Sequence, residues 1–294
     1  MFSGNFQGPP VGQVAAPGSP RLNTVSVLYP LLNLFQLLFL AGWSALWISV
    51  ALLVAVASRN QEVALGMARR LWAPGLRWVS GSRVIVDPLP DFDWSRPHVF
   101  VMNHQSSLDI VVAFMVLPVN VRFVAKHVLK YVPFLGWYMW ATGMIFVHRG
   151  RRGAAMGSLV EAAARVRDGA NVLVFPEGTR SRDGQVHTFK KGAFVLASQA
   201  GVAIVPVAIE GSGRCFPPEG FRIRPAVIRV RVGTPIPTRG PDSDDIDDLA
   251  RRTRASIVGM TEALRAQGAP AGGGPEDPLD AVATPGPVGR RAAS

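Results

Sequence analysis

Apolar residues dominate the chain from Leu22 to Ser58, a stretch in which no charged residue occurs. Residues 29–57 are almost wholly apolar, and about 20 such residues are enough for a helix to cross the hydrocarbon core of a bilayer. We therefore predict a membrane segment that either crosses once or bends near Gly42 into a hairpin within one leaflet. A cleaved signal peptide fits less well, because the apolar run is long and follows a Gly/Pro-rich start.

Short apolar runs and longer periodic stretches alternate beyond this segment, and they predict strands and helices respectively. The predicted strands are Arg83–Val86, Val99–Met102, Arg122–Ala125, Met144–Val147, Val172–Phe175, Ala203–Ile209 and Ile228–Val232. The predicted helices are Leu108–Leu117, Phe134–Thr142, Ala154–Arg167, Gly192–Ala200 and Asp245–Leu264. This alternation predicts an α/β fold, with a mixed sheet flanked by helices and an N-terminal membrane-embedded helical segment.

The same pattern divides the chain into four parts. Residues 1–24 and 267–294 are rich in Gly, Pro, Ala and Ser with little apolar periodicity, so we predict two disordered tails. Residues 25–80 form a predicted membrane anchor with interfacial helices. Residues 81–266 contain all the alternating strands and helices, and they are expected to form one α/β domain.

The formal net charge is +11, which favours an anionic partner, either nucleic acid or anionic lipid. Arg69, Arg70 and Arg77 alternate with Leu and Trp residues directly after the apolar run, a pattern typical of a membrane interface. Basic residues are more frequent after the apolar run than before it. The positive-inside rule therefore predicts an inner or plasma membrane protein with its domain on the cytoplasmic face. We expect the phospholipid bilayer as a partner and no nucleic acid.

A possible base and a possible orienting carboxylate lie five positions apart in Asn103–Asp109. Five residues in a continuous helix correspond to about 140° around the axis, so His104 and Asp109 can meet only if the chain bends between them. A turn between the predicted strand and a helix capped by Ser106 or Ser107 supplies that bend. The pairing indicates an enzyme.

Three further blocks follow in order, at residues 143–149, 175–181 and 205–209. Together with residues 103–109 they resemble the glycerolipid acyltransferase family, most closely its bacterial 1-acylglycerol-3-phosphate acyltransferases, over about residues 83–234. The resemblance implies that residues 81–266 are an acyltransferase domain acting in phospholipid biosynthesis. Such a domain moves a fatty acyl group from acyl-CoA or acyl carrier protein to the sn-2 hydroxyl of lysophosphatidic acid, which gives phosphatidic acid.

This reaction needs a base for the acceptor hydroxyl. His104 is the expected base, and Asp109 is expected to hold the ring in the correct tautomer, as the carboxylate does in serine-hydrolase triads. No metal and no cofactor beyond the acyl donor are expected, since no Cys/His cluster has zinc-ligand spacing. The other histidines, His98, His127, His148 and His187, have no carboxylate five residues on and are expected to be ordinary.

The acceptor phosphate carries nearly two negative charges and favours cationic partners. The resemblance makes Lys126, Arg149 and Arg180 the candidates for phosphate contact. A turn follows the predicted strand at Glu177, Gly178 and Thr179, where glycine lets the backbone approach a ligand. Glu177 is expected either to bind glycerol hydroxyls or to form an ion pair with a neighbouring arginine.

Three alternatives stay open on the sequence. The first is the same chemistry on another lyso-lipid, such as a lyso-ornithine lipid. The second is a non-catalytic membrane protein that binds anionic lipid through its arginines. The third is a hydrolase that uses the His–Asp pair to activate water against an acyl thioester.

Overall fold

The computed structural model describes residues 24–147 and 152–268. The strands are β1 Arg83–Val86, β2 Val99–Met102, β3 Val121–Lys126, β4 Ile145–Val147, β5 Asn171–Val174, β6 Ile204–Glu210 and β7 Val227–Val232. The helices are α1 Thr24–Ser58, α2 Gln61–Met67, α3 Ala73–Ser80, α4 Leu108–Val116, α5 Leu135–Ala141, α6 Arg152–Arg167, α7 Gly192–Ala200, α8 Ser212–Cys215 and α9 Ile246–Gly268, with a π-helix at Ala68–Trp72 and a 3₁₀ helix at His127–Tyr131.

Each predicted strand and helix of the α/β region is found, with small shifts at its ends. The largest shift is in α9, which continues to Gly268 rather than ending at Leu264. The predicted disordered tails, residues 1–24 and 267–294, lie outside the described residues except for residue 24 and residues 267–268, which are helical.

The strands form one seven-stranded sheet in the order β1-β7-β6-β2-β5-β3-β4. Neighbours are parallel except β6 and β7, which are antiparallel, so the predicted mixed sheet is confirmed. Strands β6, β2, β5, β3 and β4 point the same way, and their carboxyl ends meet at one edge. Ligands bind at this edge in open α/β sheets.

Helices cover both faces of the sheet. Alternate residues of β2 point to opposite faces, as the two-residue period of a strand requires. Phe100 and Met102 join a core formed with α1 to α5, whereas Val99 and Val101 join a core formed with α6, α7 and α9. All four side chains are fully buried. A strand buried on both faces is typical of parallel sheets, which explains the continuous apolar run of β2.

Helix α1 is 35 residues long and runs unbroken through Gly42, so the bend considered there is not found. The chain turns instead at Arg59 and Asn60, where the Asn60 side chain accepts a hydrogen bond from the Glu62 amide and caps α2. Leu28–Ser58 is, among the described residues, the one helix long and apolar enough to cross a membrane.

Polar contacts fasten α1 to the rest of the chain. The Trp43 indole donates to the Trp72 carbonyl oxygen over 3.0 Å, and the Trp72 indole donates to the Ser44 hydroxyl over 3.0 Å. Nearer its start, the Asn33 side chain accepts a hydrogen bond from the Ile223 amide over 2.8 Å. The helix is therefore fastened to the helical segment that follows it and, through Asn33, to the α/β domain.

Candidate active site

The turn after β2 is fixed to the neighbouring strand β6 by Asn103. Its side-chain amide donates to the Ile209 carbonyl oxygen over 2.9 Å and accepts from the Ile209 amide over 2.8 Å. This pair continues the β2–β6 ladder by one step after the strand ends. Because Asn103 is fully buried, the position of the next residue, His104, is set by the sheet itself.

His104 and Asp109 meet as the sequence predicts. The His104 Nδ1 atom lies 2.7 Å from Asp109 Oδ2, and the same oxygen accepts hydrogen bonds from the amides of Gln105 and Ser106 over 2.7 and 2.8 Å. The Asp109 carboxylate is completely buried at the first turn of α4, where the helix dipole favours negative charge. The Ser106 hydroxyl, rather than that of Ser107, accepts a hydrogen bond from the Leu108 amide.

The His104 ring lies flat against Phe175, with ring centroids 4.0 Å apart and planes 18° apart. This stacking and the bond to Asp109 fix both the position and the rotation of the imidazole. The opposite nitrogen, Nε2, has no hydrogen-bond partner among the described residues, and the ring borders a cavity. A ring held in this way can accept a proton at Nε2 while Nδ1–H stays bonded to the carboxylate.

Glu177 makes two backbone hydrogen bonds that the sequence did not predict. Its two carboxylate oxygens accept backbone hydrogen bonds, one from the His104 amide over 3.0 Å and the other from the His187 amide over 3.1 Å. The side chain is buried, and no ion pair with Arg180 is found among the described residues. Burial raises the pKa of the Glu177 carboxyl, although the two amide hydrogen bonds oppose the shift. Glu177 thus joins two loops beneath the site.

A second polar network behind His104 was missed in the sequence. The Gln105 side chain donates to Glu210 over 3.0 Å and accepts from the Gly211 amide over 3.2 Å, and buried Glu210 also accepts from Arg214 and Arg265. A glutamine and a glutamate at the ends of buried strands are the signal that could have identified it, because buried polar groups require partners.

The cavity beside His104 has a volume of about 550 Å³ and is mostly apolar. Helix α1 contributes Trp47, Ile48 and Ala51 to its wall, and the α/β domain contributes further apolar side chains, among them Phe114, Leu129 and Met139. Helix α1 and the turn that carries His104 therefore border one cavity, which the sequence did not indicate.

Several predicted binding residues border the same cavity, namely Lys126, Gly178, Thr179 and Arg180. Lys126 is the exposed last residue of β3, and the Arg180 guanidinium donates to the Ser107 hydroxyl over 3.1 Å. Gly178 has a φ of +74°, a backbone conformation that favours glycine. Cationic groups thus lie close to His104.

Arg149, the remaining candidate, lies outside the described residues. Val147, two positions earlier, pairs with Lys126 across the β3–β4 ladder. Among the described residues, no group of three or more His, Cys, Asp or Glu side chains is placed to hold a metal ion.

Comparisons with known proteins find several similar chains. A family model described as Acyltransferase matches residues 79–210. The chain is 35% identical over 256 residues to 1-acyl-sn-glycerol-3-phosphate acyltransferase alpha of Ovis aries, which covers 87% of this chain and 86% of that relative. It is 37% identical over 166 residues to the 1-acyl-sn-glycerol-3-phosphate acyltransferase of Saccharomyces cerevisiae, covering 55% of each. The crystal structure of the 1-acyl-sn-glycerophosphate acyltransferase PlsC from Thermotoga maritima matches with a TM-score of 0.69 and 26% identity, over 82% of this chain and 97% of that one.

Proposed function

The chain belongs to the acyltransferase family of the 1-acyl-sn-glycerol-3-phosphate acyltransferases, and we propose that it forms phosphatidic acid from lysophosphatidic acid at a membrane. The fatty acyl group comes from acyl-CoA or acyl carrier protein and goes to the sn-2 hydroxyl. The observation that carries this proposal is the buried His104–Asp109 pair, whose free ring nitrogen lies beside an apolar cavity with cationic groups at its border.

The proposed reaction uses His104 as a general base. Nε2 takes the proton of the acceptor hydroxyl as its oxygen attacks the thioester carbonyl carbon. The tetrahedral intermediate then loses the thiolate, the C–S bond breaks, and the imidazolium returns the proton to the departing sulfur. Asp109 keeps the Nδ1–H tautomer and stabilises the transient imidazolium, and no enzyme nucleophile is needed.

Binding of the acceptor phosphate is assigned to Lys126 and Arg180, with Arg149 as a third candidate from the sequence. Arg180 supports this role because its bond to Ser107 places the guanidinium next to the turn that carries His104. A planar guanidinium can bind two phosphate oxygens at once, and lysine adds a point charge. Gly178 and Thr179 would bring backbone close to the glycerol, whereas Glu177 supports the site from below.

The apolar cavity is suited to a fatty acyl chain, since each buried CH₂ group contributes about 0.8 kcal/mol. Side chains from α1 line this cavity, so we propose that the helix both anchors the protein in lipid and closes the acyl site. The arginines that follow α1 favour the cytoplasmic face of the inner or plasma membrane.

The test is an assay of the purified full chain with labelled oleoyl-CoA and lysophosphatidic acid, beside His104→Ala. Phosphatidic acid from the wild type and none from the variant is the expected result. Free fatty acid formed without any acceptor would indicate a thioester hydrolase. Vesicle binding with no turnover on a panel of lyso-lipids, from either donor, would favour a lipid-binding protein.

A further inference from the structure

The 3₁₀ helix and α5 carry exposed apolar side chains that form what we call the aromatic face, namely Val128, Tyr131, Phe134, Trp137 and Trp140. Trp140 is the most exposed of them, at 77%, and Tyr131 follows at 68%. Soluble monomers rarely expose contiguous apolar surface of this kind unless it binds a partner.

The opposite side of α5 already has its partner. Tyr138 and Met139 are buried and line the cavity beside His104, and α5 also packs against α1. Helix α5 is therefore apolar on two sides. One side is covered by protein, whereas the side with Trp137 and Trp140 is open among the described residues.

The backbone before α5 has an unusual, strained conformation. Phe134 has a φ of +60°, which is rare for a residue other than glycine and costs free energy. Gly136 is confined as well, because a Cβ atom there would lie 2.2 Å from the Lys130 carbonyl oxygen. The Phe134 ring is half exposed, and its centroid lies 5.2 Å from that of Trp137.

Two exposed lysines beside the aromatic face favour an anionic surface, although Glu62, Glu161 and Asp168 line one cavity with Trp137 and Trp140. No acidic residue occurs between Asp109 and Glu161, whereas Lys126 and Lys130 lie in the segment that forms the face. Both lysines are exposed, and the Lys130 ammonium lies 5.2 Å from the centroid of the Tyr131 ring. Tryptophan and tyrosine beside lysine are typical of the headgroup region of a bilayer.

We propose that the aromatic face is a second membrane contact, which inserts into the headgroup region of the bilayer beside α1. The contact between α5 and α1 makes the two surfaces continuous. Because Tyr138 and Met139 on the other side of α5 line the cavity, this contact would hold the cavity next to the lipid that supplies the acceptor. The membrane contact stands on its own, and only its benefit to turnover rests on the proposed function.

The contact can be located by fluorescence quenching on the full chain. A single label is placed in a Cys215→Ala background at Trp140→Cys, at Leu38→Cys on α1, or at Glu262→Cys on α9, which covers the opposite face of the sheet. Vesicles of phosphatidylcholine and phosphatidylglycerol carry brominated acyl chains as quencher. We expect quenching at positions 140 and 38 and none at position 262.

Two outcomes would overturn the contact. One is a label at position 140 that is as unquenched as that at 262 while the label at 38 is quenched. The other is fluorescence energy transfer between labels at position 140 of different chains that persists at a high lipid-to-protein ratio. Such transfer would show that the aromatic face binds a second copy of the chain. Neither outcome depends on catalysis, so the quenching test remains valid even if the chain forms no phosphatidic acid.

Kinetics test the benefit to turnover. Trp137→Ser/Trp140→Ser is expected to lose activity severalfold on lysophosphatidic acid embedded in vesicles and to keep it on a short-chain, monomeric acceptor. The matched control is Val160→Ser, an exposed apolar position on α6 at the other face, which should leave both activities unchanged. An equal loss on both acceptors, or no loss on vesicles, would contradict a role for the contact in turnover.

Discussion

Two histidine–carboxylate pairs lie on either side of Glu177 and differ in nearly every respect except composition. In the first, His104 is 16% exposed, Asp109 is fully buried, and the two atoms are 2.7 Å apart. In the second, His187 and Asp183 are 49% and 56% exposed and 3.0 Å apart. The backbone amides of both histidines donate to the Glu177 carboxylate. The two pairs therefore have the same hydrogen-bond acceptor behind them but differ in solvent exposure.

The difference lies in what surrounds each pair. Asp109 gives one oxygen to His104 and to two backbone amides in a buried turn, whereas Asp183 bonds the Ser181 hydroxyl and the Gln185 amide at the surface. The ring of His104 stacks on Phe175 and borders the cavity. A His–carboxylate contact alone therefore does not distinguish the two pairs, whereas burial, the stacked ring and the neighbouring cavity do, and these features support the proposal that His104 is the base.

After His104→Ala, the largest effect is expected from Asp109→Asn, which should lower kcat by about 10²- to 10⁴-fold, as removal of the orienting carboxylate does in serine-hydrolase triads. The substrate KM should change little, because Asp109 lies behind the ring rather than in the cavity. Steady-state kinetics would measure kcat and KM, and circular dichroism would show whether the variant is folded. A variant that is folded and retains full kcat would remove Asp109 from the mechanism.

Glu177→Gln is expected to come next, because an amide can accept only one of the two backbone hydrogen bonds and sets its NH₂ group against the other donor. The free energy of unfolding should fall by about 1–3 kcal/mol, the cost of an unsatisfied buried group. Misplacement of His104 should reduce kcat by about 10- to 100-fold. Calorimetry would measure the free energy of unfolding, and steady-state kinetics would measure kcat. An unchanged kcat would show that the two Glu177 hydrogen bonds do not position His104.

Arg180→Ala should raise the KM for lysophosphatidic acid about tenfold or more, since hydrogen bonds between charged groups contribute about 1.5–3 kcal/mol. The KM for the acyl donor should change less. Arg182→Ala is the matched control, because that side chain is 78% exposed and pairs with Glu219 on the surface. Equal effects of the two substitutions would argue against a specific phosphate contact.

The smallest effect on activity is expected from His187→Ala, below about twofold, since its backbone amide still bonds Glu177 and surface ion pairs contribute little. Retention of activity in this variant beside its loss in His104→Ala would complete the comparison. A tenfold loss would place the surface pair in the catalytic machinery.

The carboxyl groups of Glu177 and Asp183 should contribute to stability with opposite dependence on pH. Burial raises the pKa of Glu177 above its ordinary value, so its contribution to stability is greatest in acid, below that ordinary value, and is lost as pH rises through the raised pKa. Backbone and side-chain hydrogen bonds lower the pKa of Asp183 below 3.8, so its contribution is present above that pH and is lost as pH falls. Thermal melts of Glu177→Gln and Asp183→Asn against the wild type should diverge in these opposite directions.

The strands, the helices and the contact between His104 and Asp109 were predictable because they depend on local sequence pattern. The alternation of apolar residues predicted the strands and helices, and His104 and Asp109 are close in sequence, at the two ends of one short turn. The bend considered at Gly42 was wrong because a glycine within a long apolar run does not by itself end a helix, and the turn at Arg59 and Asn60 lies where the apolar run ends.

The sequence by itself determined the α/β fold, the apolar anchor and the meeting of His104 with Asp109. Only the tertiary structure decided that Glu177 joins two loops, that Asn103 fastens the turn to a strand 106 residues away, and that α1 forms a wall of the cavity. The physical reason is that periodicity and turn chemistry act over a few residues. Contacts between the ends of β2, β5 and β6 exist only once the order of strands in the sheet has brought these distant segments together.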